Sequence, residues 1–218
     1  MCQKVAVGDT IKMDINGNKR VWRVAHIGNP DPNIYDESCD GIWLVLSTIY
    51  STRANGDTVE YDQNIIDKYL GSTFLKRIDA DGDASKFIKQ VKIPYAKKLD
   101  DGSYQVMTKS EGHSCKVFIP SLLEMGVTSV STPYADGAKL DYFDGTPKKI
   151  KANLSGTAST WRTRTIQDNG NGALSSIVVD ASGNVTTALS TDVLGVRPCV
   201  IMNPSALVDG DRIIIGCN

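Results

Sequence analysis

The chain has 218 residues, 41% hydrophobic and 22% charged, with 24 Lys+Arg against 25 Asp+Glu and a formal net charge of −1. Such a composition buries a core without disulfide or metal staples. Near-zero charge supplies no field to draw in nucleic acid, and no apolar window is long enough for a membrane span, so neither nucleic-acid binding nor membrane insertion is expected.

The first segment, MCQKVAVGDTIKM, lacks the apolar stretch of a secretory signal, which points to synthesis and folding in a cytoplasm. Residues 10–28, TIKMDINGNKRVWRVAHIG, alternate apolar and polar on both sides of Asn16-Gly17-Asn18. That pattern predicts a hairpin, with Trp22 and Val24 on one face and Val21 and Arg23 on the other. After a loop rich in Pro, Asp and Asn (29–40), GIWLVLSTIY (41–50) reads as a strand buried on both faces.

Residues 62–78 place Ile65, Ile66, Tyr69, Leu70, Phe74 and Ile78 at three- and four-residue steps, which predicts a helix with Asp62 at its N-cap. Gly71 costs roughly 1 kcal/mol against Ala and marks either a break or a close helix contact. Asp79, Asp81 and Asp83 have the spacing that opens a calcium loop. Ala84 and Gln90, however, stand where such a loop needs Gly and Glu, so an acidic turn is expected.

SCKVFIPSLLEMGV (114–127) predicts a strand and a short helix capped near Ser121 and ended by Gly126. Residues 128–158, rich in Ser, Thr, Gly and Pro, read as a long ordered surface excursion. SSIVVDASGNVTTAL (175–189) is a second hairpin about Ser182-Gly183-Asn184, and VRPCVIMNP (196–204) and RIIIGC (212–217) supply a final pair of strands. Many short strands with one or two helices near the front predict an α+β fold, one domain over residues 1–218 around a twisted antiparallel sheet.

Catalytic patterns are missing from this sequence. Cys2, Cys39, Cys115, Cys199 and Cys217 make an odd count without C-x-x-C spacing, so they read as free thiols, with Cys199 buried in an apolar run. His26 falls in an expected strand and His113 in an expected turn. No serine elbow or phosphate-binding glycine loop occurs, and Asp100-Asp101 has no apolar wall to raise a carboxyl pKa. No catalytic residue, cofactor or metal is therefore assigned.

Residues 161–171 differ in kind: Trp161, Arg162 and Arg164 lead into a polar run containing Gln167, Asp168, Asn169 and Asn171. Two readings stay open. Aromatic, guanidinium and amide groups offer large, adaptable contact area, which makes Trp161, Arg162, Arg164, Gln167, Asn169 and Asn171 candidate ligand-binding residues. Alternatively, Trp161 faces the core of a strand that turns Arg162 and Arg164 to solvent.

The ordered set VGDTIKM, VWRVAHIG, IWLVLS, YDQNIIDKYLGSTFLKRID, VFIPSLLEMGV, DGAKLDYFDG, TASTWRTRT, VVDASGNVTT and LGVRPCVIMNP spans nearly the whole chain. It resembles an uncharacterised domain family of Firmicutes and their prophages, with a W-W-L-R-S-P-like segment and a terminal G-V-R-P-A. That family resembles a branch of the C-type-lectin-like fold, akin to formylglycine-generating enzymes and to retroelement-diversified phage binding proteins.

The resemblance implies exposed variable positions from Thr163 to Asn171, while Trp22, Gly195, Arg197 and Pro198 are structural. Arg197 would be a partly buried tie between loops and sheet. The chain departs from the pattern in having one Trp in TWRTRT and Ile166 where Pro is usual. It also lacks an alignable catalytic cysteine pair and the E-P-N or Q-P-D tripeptide of calcium-dependent lectins. The resemblance further implies a non-enzymatic bacteriophage virion protein, a tail or capsid-decoration component. It would be a homo-oligomer contacting other virion proteins and a host-surface glycan or protein. A purely structural head or tail component and a formylglycine-generating-like enzyme are the alternatives.

Overall fold

The computed structural model describes residues 3–78, 84–128, 136–143, 149–168 and 174–215. Strand β1 (Thr10–Ile15) and strand β2 (Asn18–Gly28) form the expected first hairpin. Asn16 and Gly17 join them at φ 56° and 77°, the pair of left-handed residues that matches strand twist in a two-residue turn. Trp22 and Val24 are fully buried and Val21 is exposed, as the alternation requires. Strand β3 (Gly41–Leu46) is buried at every position.

Short strands follow: β4 (Ser51–Arg53), β5 (Val91–Ile93), β6 (Tyr95–Lys98), β7 (Tyr104–Met107), β8 (His113–Cys115) and β9 (Val117–Phe118). The last third adds β10 (Trp161–Asp168), β11 (Leu174–Val179), β12 (Val185–Ala188), β13 (Leu194–Val196), β14 (Cys199–Met202), β15 (Leu207–Val208) and β16 (Ile214–Ile215). The second hairpin is β11–β12, turned by Gly183 at φ 86° while the Asp180 carboxylate accepts from the amides of Ser182 and Asn184.

Two five-stranded sheets organise the chain. One has the order β1-β2-β3-β14-β9 and is antiparallel throughout; the other has the order β12-β11-β10-β13-β4, with β10 and β13 parallel. A continuous apolar core joins them, with Trp22, Trp43, Phe118, Trp161 and Val200 all buried. The architecture is mostly β-sheet with a few short helices, in keeping with an α+β class. The last two predicted strands do not pair with each other. β14 enters the first sheet beside β3, where its four buried residues meet that strand's apolar faces, and β16 pairs with β15.

Helical predictions need correction. Residues 62–78 form a broken run: a 3-10 turn (Tyr61–Gln63), an α-helix α1 (Ile65–Tyr69), a π turn (Leu70–Phe74) and a 3-10 turn (Leu75–Arg77). The N-cap is Asn64, whose side-chain carbonyl oxygen accepts from the Asp67 amide at 2.8 Å, rather than Asp62. Gly71 lies in the π turn with open space where a Cβ would stand, so it marks the break and not a close contact. The periodic residues Ile66, Tyr69, Leu70, Phe74 and Ile78 still face the core. After Ser121 the chain makes one turn, not a helix, closed by Gly126 at φ 70°. Nor is 128–158 a surface excursion throughout, because Asp136, Leu140 and Phe143 are buried. The acidic 79–83 turn lies outside the described residues.

Gly195 is where the second sheet closes most tightly. A Cβ there would stand 2.8 Å from both the Ile49 methyl and the Thr160 carbonyl oxygen, and 3.0 Å from the Trp161 Cβ. Backbone and β-branched neighbours cannot yield as a flexible side chain does. Gly195→Ala is expected to lower stability by about 1–3 kcal/mol, read as a fall in thermal midpoint, whereas Gly71→Ala should leave it unchanged or raise it.

Candidate functional site

The segment Trp161–Ile166 is buried at all six positions. Its pairing with β11 slips between Arg162 and Ile166, which breaks strict alternation and turns consecutive side chains inward. Trp161 is therefore a core residue whose indole N–H donates to the Lys149 carbonyl at 3.0 Å. Arg162 and Arg164 are buried too, contrary both to a ligand-contact role and to a solvent-facing one. Of the remaining candidates, Gln167 lies on β10 and is partly buried, whereas Asn169 and Asn171 lie outside the described residues.

Arg164 satisfies all its donors internally. Nε donates to the Pro94 carbonyl at 3.0 Å, and Nη1 donates to the Ile119 carbonyl at 3.0 Å and to Glu124 Oε2 at 2.8 Å. Nη2 donates to Glu124 Oε1 at 2.5 Å and to the Asp136 carbonyl at 2.9 Å. Both side chains of the Arg164–Glu124 pair are wholly shielded from solvent. Glu124 also accepts from the Tyr35 hydroxyl at 2.8 Å and from the Ser121 amide at 2.9 Å. This two-point fork is the geometry that makes a buried ion pair tolerable.

Glu124 and Asp136 were missed as functional residues in the sequence. Ser121 and Glu124 form a capping box, since the Ser121 hydroxyl accepts from the Glu124 amide at 3.1 Å while Glu124 accepts from the Ser121 amide. The S-x-x-E spacing is readable; that its Glu doubles as the counter-ion of a distant arginine is not.

Asp136 adds a second buried carboxyl, accepting from the Thr165 hydroxyl at 2.9 Å. Burial pushes its pKa up to about 7, with the Arg164 charge opposing that rise. One guanidinium balances one carboxylate, so below about pH 7 the second carboxyl holds its proton and the cluster approaches neutrality.

Two other arginines are internal. Arg162 Nη2 donates to the carbonyls of Leu189 at 2.8 Å and Asp192 at 2.5 Å. Arg197 is fully rather than partly buried; its Nε donates to the Leu46 carbonyl at 2.7 Å, tying the turn before β14 to β3. Pro198 is buried, and its carbonyl accepts from the Leu46 amide at 2.9 Å. Trp22, Gly195, Arg197 and Pro198 thus occupy packing positions.

The thiols of Cys39, Cys115 and Cys199 are buried and free. Desolvation pushes the Cys39 pKa up to about 12 and raises the other two as well, which keeps all three as thiols rather than thiolates. His113, on β8 rather than in a turn, contacts the Asp67 carboxylate at 2.8 Å. Among the described residues no three His, Cys, Asp or Glu side chains gather to hold a metal, and no helix is long and apolar enough to cross a membrane.

Among the surface clefts is one of about 390 Å³ lined by Asn55, Asp57, Thr58, Asp62, Gln63, Ile65 and Lys68. A second, of about 270 Å³, shares Asp57 and Thr58 and adds Glu60, Lys98 and Tyr104. Both lie beside the β10–β11 hairpin at the Ile166–Ser176 pair. Asn55 donates to the Ser176 hydroxyl at 2.6 Å, Ser176 pairs with Ile166, and Ile166 packs with Ala96, Val59 and Tyr104.

The family described as Domain of unknown function (DUF6273) matches residues 40–204, from just before β3 to just after β14, and the chain belongs to it. No curated protein and no solved structure matches the chain.

Removing one partner of the buried pair leaves the other uncompensated. Arg164→Met is expected to cost about 3–5 kcal/mol, and the double variant Arg164→Met/Glu124→Leu to cost less than the single one, by denaturant titration. Asp136 imposes a pH dependence. Between the ordinary 3.8 and about 7, only the folded state keeps this proton, so stability falls as pH rises through that window. Asp136→Asn should flatten this slope, on the order of 1 kcal/mol per pH unit, with little change near pH 4.

Proposed function

We propose that the chain is a non-enzymatic virion component of C-type-lectin-like fold, on a phage tail or capsid, that presents the β10–β11 end to a hydroxyl-rich host-surface ligand. The observation that carries this reading is the position of the two clefts beside a hairpin whose first strand is fixed by the buried Arg164 network. Amide, carboxylate and hydroxyl groups at Asn55, Asp57, Thr58 and Gln63, with the Tyr104 ring nearby, suit a glycan: planar groups bond neighbouring hydroxyls and a ring covers a sugar face. The ordered motif set supports the virion setting, and the burial of Arg164 within its own hydrogen-bond network and of the three thiols supports binding over catalysis.

A second reading, contact with other subunits alone, draws on Leu189 and Val193, which are 66% and 64% exposed on the loop between β12 and β13. It fits a homo-oligomer or a contact with another virion protein.

One variant separates them. Asp57→Ala/Gln63→Ala is expected to lower attachment of particles to host cells by roughly tenfold or more, with thermal midpoint and incorporation into particles unchanged. Unchanged attachment would remove the clefts from the ligand surface and leave the subunit-contact reading.

A further inference from the structure

Around Arg197 the fold gathers cations, and the Asp9 carboxylate, whose charge reaches Arg23, is itself paired with Arg212. The guanidinium is fully buried, lying 5.1 Å from the Trp161 ring centre and 5.4 Å from that of Phe143. Its Nε is bonded to the Leu46 carbonyl, but Nη1 and Nη2 have no hydrogen-bond partner. This contrasts with Arg164, whose nitrogens are all engaged, and nothing in the sequence signals the difference.

Two more cations stand close enough to repel it. Lys151 is partly exposed, and desolvation, aided by Arg197 and Arg23, drives its pKa down to about 7. Arg23 lies 5.5 Å from the Tyr142 ring and donates from Nη1 to the Gly8 carbonyl at 2.6 Å, while its Nε is buried and unpaired. Ser47, next to the Leu46 carbonyl that Arg197 holds, has a buried hydroxyl without a partner. No carboxylate among the described residues pairs with Arg197, Lys151 or Arg23.

Unpaired donors and like charges at one place are costly unless something negative completes them. We propose that Arg197, Lys151 and Arg23 form a binding site for a small oxyanion, either free or as the anionic substituent of a larger ligand. Arg197 supplies the N–H donors of Nη1 and Nη2 at the inner end, held between the Trp161 and Phe143 rings. Lys151 and Arg23, both partly exposed, provide the remaining charge on the solvent side. The site is separate from the polar clefts and does not depend on the function proposed for them.

The test compares thermal midpoints in inorganic phosphate and in a sugar phosphate with sodium chloride at matched ionic strength. A ligand that binds only the folded state raises the midpoint with concentration, here by a saturable shift of roughly 5 °C. Phosphate also stabilises proteins through exclusion from their surfaces, so Lys151→Met and Arg23→Met are the controls. Both keep Arg197 and should fold, and each should lose the saturable shift, with Lys151→Met at least as stable as the parent in chloride. A larger shift with the sugar phosphate identifies the substituent of a larger ligand; equal shifts identify the free oxyanion. Equal midpoints in phosphate and chloride, or a shift that survives in both variants, would overturn the proposal.

Discussion

The bidentate pair between Arg164 and Glu124 is the constraint on which the rest of the second sheet depends. A single guanidinium collects the Pro94 carbonyl between β5 and β6, the Ile119 carbonyl after β9, the Glu124 turn and the Asp136 backbone. Four segments remote in sequence are thus held to one strand by directional bonds that apolar packing alone would not specify. The pair carries little net stability for its burial, yet either partner alone would be worse than neither. That asymmetry explains why so much protein is arranged to complete it, from the Tyr35 hydroxyl to the Ser121 cap.

The same arrangement inverts the first impression given by the sequence. Trp161, Arg162 and Arg164 have the chemistry of a recognition loop, and they are interior. Their side chains lie in the interior, while the surface near them is made by less conspicuous residues: Asp57, Thr58 and Gln63. Aromatic and guanidinium groups serve contact areas and cores for one reason, large area with directional donors, so residue type alone does not separate the two uses.

Local rules were legible where local forces decide. The Asn16-Gly17 turn, the Gly183 turn, the all-apolar β3 and the burial of Trp22 and Cys199 follow from backbone and side-chain chemistry within a few residues. Elements set by distant partners were not. The slip in β10 that buries six residues in a row has no periodic signature, and Glu124 shows only its capping-box spacing. Asp136 lay inside a stretch that composition assigned to the surface. The helix over 62–78 had the right buried face except for the exposed Ile65, but not the right backbone, since a π turn holds Gly71 where the apolar spacing alone predicted α.

Insertion of β14 between β3 and β9 carries a consequence for how the chain is made. Val45 and Leu44 pair with Cys199 and Val200, residues synthesised more than 150 positions later. Until that strand emerges, β3 has one free edge, and its apolar side chains lack the cover they have in the finished sheet. Such an edge recruits other strands, including those of neighbouring nascent copies. Closure from the far end of the sequence also makes the contacts non-local, which slows folding. The time β3 waits for β14 therefore sets how long that edge is open to wrong partners.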